Sequence, residues 1–163
     1  MKLIFLDLDG VLRLLCELTL LRDYPTDLLA CPGQPPAYFD SACVWRLNRL
    51  LKAAGAQFVI ISTLRAVHPW ELIVEALLKA SVDLSAMHAD ANVPWTGVRG
   101  NDIQQWLLRH PEVTSWCVLD DEMRHYDDWV PPMRAHVFAT CSRFGLQPTT
   151  ERDALNFLTN PAP

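Results

Sequence analysis

The hydrophobic residues of this chain occur either in short continuous runs or at intervals of three and four residues. Continuous apolar runs are typical of strands buried on both faces of a parallel sheet, whereas the longer spacing is typical of helices with one buried face. The predicted strands are residues 3–6, 57–61, 84–87, 115–119 and 135–139. The predicted helices are residues 41–54, 70–79, 102–110 and 150–158. Because strands and helices alternate, we predict an α/β protein with a doubly wound parallel sheet and helices on both faces.

Short-range sequence signals indicate where the first of these helices begins and ends. Asp40 or Ser41 can begin it, because a short polar side chain can accept a hydrogen bond from the first turn. Gly55 can end it, because glycine readily takes the left-handed conformation that often follows a helix.

Residues 13–40 follow neither pattern. A long helix is improbable there because of Pro25, Pro32, Gly33, Pro35 and Pro36. We predict a short flap and an irregular loop above the end of the first strand, too small to form a full cap domain. A connecting loop without a role in substrate binding is the alternative. The length of the chain predicts one domain over residues 1–163.

The amino-acid composition indicates which classes of protein the chain can belong to. Hydrophobic residues make up 50% of the chain and charged residues 20%, as in ordinary globular domains. No run reaches the roughly 18 apolar residues of a membrane span, so we expect no membrane partner. The net charge of −5 argues against strong nonspecific binding to nucleic acid. That argument fails only if the basic side chains cluster at the site, namely Arg13, Arg22, Arg65 and Arg99.

Cysteine and histidine positions give no sign of a disulfide framework or a zinc site. The five cysteines lack C-x-x-C spacing, which favours reduced thiols and a cytoplasmic location. They are Cys16, Cys31, Cys43, Cys117 and Cys141. The histidines also lack the paired spacing of zinc ligands and are expected to be structural. They are His68, His88, His110, His125 and His136.

Two carboxylates end the first predicted strand. Asp7 and Asp9 would share one face if the strand continued, and Gly10 lets the chain turn away from it. Open α/β sheets bind ligands at this end of their strands. The pair suits a nucleophilic carboxylate beside a proton-transferring one, both near a hard cation. An acidic turn is one alternative; a calcium loop is another, although Cys16 stands where that loop needs glutamate.

The segment Leu3–Leu6 with Asp7-Leu8-Asp9-Gly10-Val11-Leu12 resembles the first motif of the haloacid dehalogenase (HAD) superfamily of hydrolases. The later motifs are matched in order by Ser62 after the second run, by Arg99, and by Asp120-Asp121 after residues 115–119. The resemblance spans residues 2 to about 122. More narrowly, the chain is similar to compact domains associated with RNA-repair polyproteins, although Leu64 stands where that subfamily often has tryptophan.

The resemblance implies a role for each matched residue. Asp7 would be the nucleophile and Asp9 would transfer the proton. Ser62, directly after the apolar run, is preferred to Thr63 as the hydroxyl that donates to a phosphoryl oxygen. Arg99, which lies 21 residues before Asp120, would neutralise the aspartate and the phosphoryl group. Arginine replaces the commoner lysine at that point of the family pattern, and Lys79 is the alternative cation.

The resemblance also implies which residues would bind the metal and the substrate. Mg²⁺ prefers oxygen ligands and would be held by Asp7, Asp9, Asp120 and Asp121. Asp120 is the first choice of ligand at the fourth motif, with Asp121 binding directly or through water. Substrate contacts are expected from Gly10, Thr63 and Arg65, whose guanidinium offers a planar donor for phosphate. Arg65 is equally compatible with a surface position.

The implied function is a Mg²⁺-dependent phosphatase that forms an aspartyl-phosphate. Aspartate at position 9 favours this activity over the ATPase, phosphonate and dehalogenase branches of the superfamily. A site without a cap domain favours a macromolecular substrate such as a phosphorylated nucleic-acid end. Small phosphorylated metabolites or nucleotides are the alternative substrates. A binding or regulatory module that turns over poorly is the alternative from another functional class.

Overall fold

A computed structural model describes residues 1–14 and 39–160, and its strands form one parallel sheet. The strands are β1 (Lys2–Leu6), β2 (Ala56–Ile60), β3 (Met87–Asn92), β4 (Ser115–Asp120) and β5 (Val137–Ala139). Their order in the sheet is β3-β2-β1-β4-β5, which puts the first strand at the centre. The predicted α/β architecture is therefore confirmed.

Helices connect successive strands and cover the sheet. They are α1 (Ser41–Ala54), α2 (Leu64–Val67), α3 (Trp70–Lys79), α4 (Arg99–Arg109), α5 (Pro131–Arg134) and α6 (Pro148–Thr159). Single 3₁₀ turns occupy Leu84–Ala86 and Met123–Tyr126. Parallel neighbours need such crossover connections, because a tight hairpin would reverse the strand direction.

Helix α1 begins and ends at the residues that the sequence indicated. Asp40, rather than Ser41, is the cap, and its side chain accepts a hydrogen bond from the Cys43 backbone N–H at 2.8 Å. Gly55 follows the helix with φ 62°, and its N–H donates to the carbonyls of the last turn. These contacts satisfy backbone groups that would otherwise lack partners at the helix ends.

Alternate residues of the central strand enter two separate parts of the core. Ile4 and Leu6 pack with α1, α3 and α6 on one face of the sheet. Leu3 and Phe5 pack with α4 on the other face, where the ring centroids of Phe5 and Trp106 lie 5.5 Å apart. Both faces of β1 are fully buried, which explains why its sequence is continuously apolar.

Several predicted boundaries were wrong, including the start of the last helix, which begins at Pro148 instead of residue 150. The segment predicted as a strand from residue 84 begins with a 3₁₀ turn, because the Asp83 side chain accepts a hydrogen bond from the Ser85 N–H at 3.1 Å. Strand β3 starts only at Met87 and continues to Asn92. Helix α4 begins at Arg99 instead of residue 102. The last strand starts at Val137, because the chain before it still belongs to the turn that ends α5.

The segment predicted as a flap falls mostly on residues 15–38, which lie outside the described part of the chain. Its two described ends are close, since the Asp40 N–H donates to the Leu12 carbonyl at 2.7 Å. The flap and the single domain over 1–163 stay predictions, as does the cytoplasmic location. In the described ranges, no helix has the length and apolar character required to span a membrane.

Candidate active site

The predicted site residues follow the three central strands at one edge of the sheet. Leu6, the last residue of β1, pairs with Ile60 of β2 and Leu119 of β4. Beyond this level the Asp7 N–H donates to the Leu119 carbonyl at 3.0 Å, which keeps the chain alongside β4. The chain runs from β1 to β2 on one side of the central strand, and from β3 it crosses to β4 on the other side. Open α/β sheets form a crevice at such a switch point.

Asp7 is a buried carboxylate held from two sides. Its side chain is about 4% exposed, Oδ1 accepts the Leu8 N–H at 2.8 Å, and Oδ2 accepts Arg99 Nη1 at 2.8 Å. Burial raises the pKa of Asp7 to about 6, with a further increase from Asp120 and an opposing effect of Arg99. The carboxylate is thus fixed in orientation and incompletely neutralised by its surroundings.

Arg99 joins two of the strand ends. As the first residue of α4 it is buried, and its Nη1 donates to both Asp7 and Asp120. Burial alone would lower the pKa of Arg99, but Asp7 and Asp120 outweigh it and raise the pKa. Its Nε is buried and has no partner among the described residues. The alternative cation, Lys79, is instead exposed on α3 and pairs with Glu75.

Asp120 is fully buried and has a donor on each oxygen. Oδ1 accepts the Glu122 N–H at 2.9 Å, while Oδ2 accepts Arg99 Nη1 and the Tyr126 hydroxyl, the latter at 2.5 Å. Burial raises the pKa of Tyr126, and Asp120 raises it further, so the phenol keeps its proton and donates it. Sequence reasoning missed Tyr126, whose only signal was a tyrosine six residues after a strand-ending acid.

Asp121 lies against Gly10. The glycine has φ 68°, and a Cβ at this position would overlap the Asp121 carboxyl group. Burial raises the pKa of Asp121, and Asp120 raises it further. Gly10 was predicted as a substrate contact, and that role stays a prediction; its position lets the Asp121 side chain approach the first motif.

Three acids can act together as metal ligands. Asp7, Asp120 and Asp121 each offer a carboxylate oxygen within 4.8 Å of the other two. Arg99 is the cation that bonds two of them, so the group carries more negative than positive charge in a largely buried place. Hard divalent cations take oxygen ligands and balance such charge. The residues present therefore fit Mg²⁺.

Asp9 lies outside that group. Its Oδ1 accepts a hydrogen bond from Arg13 Nε, and the arginine is itself buried, at 5% exposure. Arg13 was expected only as one of several basic residues that could cluster at the site. The structure therefore places Arg13 as a direct partner of Asp9.

The second motif places Ser62 and Thr63 differently. Ser62 is fully buried, and its Oγ accepts the Leu64 N–H at 3.4 Å. Thr63 is exposed and makes no capping bond to α2. Ser62 lies two residues after the end of β2, and its role as the hydroxyl that contacts a phosphoryl oxygen stays a prediction.

The Arg65 side chain donates hydrogen bonds to backbone carbonyls of the protein itself. Its guanidinium donates to the carbonyls of Ile61 and Ser62, each at 2.8 Å, and to the carbonyl of Val93. Burial lowers the pKa of Arg65 to about 10. The side chain thus ties the loop after β2 to the loop after β3, and its predicted contact with a substrate phosphate stays a prediction.

A second group of possible ligands lies at the opposite edge of the sheet. His88, His110 and Glu112 have ligand atoms within 4.8 Å of one another, although their spacing in the sequence gave no sign of it. The Nδ1 of His88 accepts the Asp90 N–H at 3.0 Å, and Nδ1 of His110 is 2.8 Å from the Trp106 carbonyl. Both rings therefore already make structural hydrogen bonds.

Comparison with known proteins agrees with the motif pattern. A family model described as the HAD domain in Swiss Army Knife RNA repair proteins matches residues 3–150. No curated protein and no solved structure matches the chain. The family match includes every predicted site residue, from Asp7 to Asp121. The chain is therefore a HAD-type domain and belongs to the family found in Swiss Army Knife RNA repair proteins.

Proposed function

We propose that this protein is a Mg²⁺-dependent phosphomonoesterase that removes terminal phosphates from nucleic acid through an aspartyl-phosphate. The observation that carries the proposal is the unpartnered, buried Nε of Arg99, the side chain whose Nη1 donates to the Asp7 carboxylate. A buried donor without a partner is costly unless a ligand completes it. A phosphoryl oxygen next to Asp7 would supply the missing acceptor.

In the first step a carboxylate oxygen of Asp7 attacks phosphorus in line with the ester oxygen. The bond from Asp7 to phosphorus forms while the bond from phosphorus to the ester oxygen breaks. Asp9 gives its proton to the departing oxygen, which leaves as an alcohol. Arg13 supports this transfer because it holds Oδ1 of Asp9 and so orients the other oxygen.

In the second step Asp9, now a carboxylate, removes a proton from water. The water oxygen bonds to phosphorus, the bond from Asp7 to phosphorus breaks, and inorganic phosphate leaves. Arg99 and the Ser62 hydroxyl donate to the oxygens on which negative charge accumulates. Asp7, Asp120 and Asp121 would hold Mg²⁺, which would supply positive charge near the phosphoryl group.

The family description favours nucleic acid as the substrate, because the matched domains occur in RNA repair proteins. Repair of broken strands requires ends with a defined phosphorylation state, and a terminal phosphate is a monoester of the kind this chemistry hydrolyses. The net charge of −5 makes binding through the phosphate backbone alone weak. Recognition would therefore have to come from the end itself.

The first prediction is that an oligonucleotide with a terminal phosphate loses it in the presence of Mg²⁺ and keeps it in the presence of a chelator. Asp7→Asn should lower kcat by at least about a thousandfold, because it removes the nucleophile. Release of inorganic phosphate measures both effects. Asp128→Asn is the matched control, since this aspartate is exposed and lies outside the acidic group.

Two results would contradict the proposal in different ways. Wild-type turnover by Asp7→Asn would exclude the covalent mechanism. The substrates would instead be small phosphorylated metabolites if kcat/KM were higher for the matching mononucleotide than for the oligonucleotide and did not depend on salt for either. Absence of hydrolysis with every phosphomonoester tested would favour a binding module that keeps the fold.

A further inference from the structure

An exposed tryptophan lies on a loop that leads directly to the candidate site. Residues 93–98 connect β3 to α4, and Arg99 follows as the first residue of the helix. Trp95 in this loop keeps 36% of its surface exposed. Because the loop leaves the carboxyl end of a strand parallel to β1, it lies at the same edge of the sheet as Asp7. An exposed indole near the chemistry is available to a substrate.

The loop that carries Trp95 is held at both ends. At one end the Val93 carbonyl accepts a hydrogen bond from Arg65. At the other, the buried Asp102 carboxylate accepts the Thr96 N–H at 3.2 Å and the Thr96 hydroxyl at 2.5 Å. Contacts that fix a loop before binding reduce the entropy lost when a ligand is bound. Trp95 therefore lies on a loop whose conformation is fixed by hydrogen bonds before a ligand binds.

Arg65 connects the tryptophan to the second motif. The guanidinium carbon of Arg65 lies 5.9 Å from the centroid of the Trp95 ring. The same guanidinium donates to the Ser62 carbonyl at 2.8 Å. One arginine side chain thus separates the indole from the residue expected to contact the phosphoryl group. A terminal nucleobase is separated from its own phosphate by a single sugar, which suits this arrangement.

The chemistry of the surface favours a flat aromatic ligand. Indole stacks on other aromatic rings, and a neighbouring guanidinium adds a cation–π contact to the stack. Every nucleobase has a π face, so stacking on aromatic side chains binds nucleic acid without sequence preference. Stacking depends little on net charge, and so it is compatible with an acidic protein.

We propose that Trp95 forms a base-binding subsite, in which the terminal nucleobase stacks on the indole while its phosphate lies at Asp7. This inference rests on the proposed function and specifies how that site recognises its substrate. It explains how a protein of net charge −5 selects a nucleic-acid end, because the ring recognises the base and the site recognises the phosphate.

The test compares two oligonucleotides that end in the same phosphate, one with a terminal base and one with an abasic terminal sugar. The wild type should show a kcat/KM about tenfold or more higher for the end that carries a base. Trp95→Ala should remove this preference, and Trp95→Phe should keep most of it. The kcat/KM of Trp95→Ala for the abasic end should stay within about twofold of the wild type.

Trp45→Ala is the matched control. Trp45 is 57% exposed and its ring lies 4.3 Å from the Arg49 guanidinium carbon. Both residues are on α1, which packs on the face of the sheet opposite to Val93 and α4. This variant should keep the wild-type preference for the terminal base. A loss of preference in Trp45→Ala as large as that in Trp95→Ala would overturn the inference.

The outcomes separate the inference from the proposed function. If the wild type hydrolyses both ends equally well, the base-binding subsite is wrong and the phosphatase stands. If it hydrolyses neither, the proposed function fails, and fluorescence anisotropy with the same labelled oligonucleotides decides the inference. Tighter binding of the base-bearing end that disappears in Trp95→Ala supports the subsite, and equal binding of both ends overturns it.

Discussion

At the scale of single residues, the contacts around Asp120 determine how the site could hold a metal. The carboxylate is buried, and Tyr126 and Arg99 both donate to Oδ2. Groups that hydrogen-bond a metal-binding carboxylate fix its orientation and affect affinity although they never touch the ion. Tyr126 lies in the 3₁₀ turn after β4, and its ring packs at 5.0 Å from that of Trp129.

We predict that Tyr126→Phe weakens Mg²⁺ binding about 10- to 100-fold while the protein stays folded. The phenylalanine ring keeps the packing against Trp129, and only the hydrogen bond to Asp120 is lost. The Mg²⁺ concentration required for half-maximal phosphatase activity measures the effect. Trp129→Phe is the control, because it alters the same aromatic cluster without removing a bond to an acid. An unchanged Mg²⁺ requirement in Tyr126→Phe would mean that Arg99 and Glu122 suffice.

Arg65 shows why a residue's role is harder to predict than its position. The expectation of a phosphate contact came from the chemistry of guanidinium and from its place three residues after Ser62. In the structure its donors satisfy carbonyls of two loops, including the carbonyls of Ile61 and Ser62. Buried carbonyls need partners, and a long planar donor nearby supplies several at once. That need depends on where the second loop lies, which local sequence does not reveal.

At the scale of elements, two glycines have a left-handed backbone: Gly10 in the turn after β1, and Gly55 at the end of α1. Gly55 has φ 62° and open space where a Cβ would lie, whereas Gly10 has φ 68° and the Asp121 carboxyl group in that space. The two positions therefore share the backbone conformation and differ in their surroundings. Alanine substitution at the two positions therefore separates the strain of the backbone conformation from the space that the Asp121 side chain requires.

We predict that Gly55→Ala lowers the free energy of unfolding by about 1–2 kcal/mol because of the positive φ. Gly10→Ala should lower it by more than this and should also lose Mg²⁺-dependent activity, since the added methyl group displaces Asp121. Urea denaturation and phosphate release measure the two effects. Full activity in Gly10→Ala would show that the position of Asp121 has no role in catalysis. An equal loss of stability in both variants would show that the added methyl group does not displace Asp121.

At the scale of the whole molecule, the acidic group opposes the stability of the fold. Three acids meet at the central edge of the sheet, and the pKa of Asp7 is raised from 3.8 to about 6, chiefly by burial. Between these pH values the folded protein binds more protons than the unfolded chain. Its free energy of unfolding therefore falls as the pH rises from about 4 to about 6, and the cost persists above that range.

We predict that Asp7→Asn stabilises the metal-free protein by about 3 kcal/mol at pH 7 and by about half as much at pH 5. The neutral amide removes a charge that is costly to bury, and that charge is already partly protonated at the lower pH. Urea denaturation in the presence of a chelator measures the difference. Saturating Mg²⁺ should reverse the order, because it binds the folded wild type more tightly. A difference that does not change with pH would contradict the assigned cause.

Local sequence signals were enough to predict the architecture and the edge of the sheet at which the candidate residues meet. Continuous apolar runs indicated β1, β2 and β4, and the acids or hydroxyl after each run were expected at one edge, where the structure has Asp7, Ser62 and Asp120. Such prediction works because burial on both faces requires adjacent apolar residues and the ends of parallel strands meet at one edge. The start of β3 was misplaced because the Asp83 side chain turns the chain, and apolar content does not show this.

Which side chains touch depends on tertiary packing. Arg99 bonds both Asp7 and Asp120, Tyr126 bonds Asp120, and Gly10 makes room for Asp121. Each contact joins residues from different elements, so it depends on the strand order and on how each helix and loop packs against the sheet. Hydrophobic periodicity and helix caps depend on residues that are neighbours along the chain. They contain no information about how each helix and loop packs against the sheet. Candidate residues could thus be listed from the sequence, whereas their hydrogen bonds and altered pKa values arise from the packing of the whole domain.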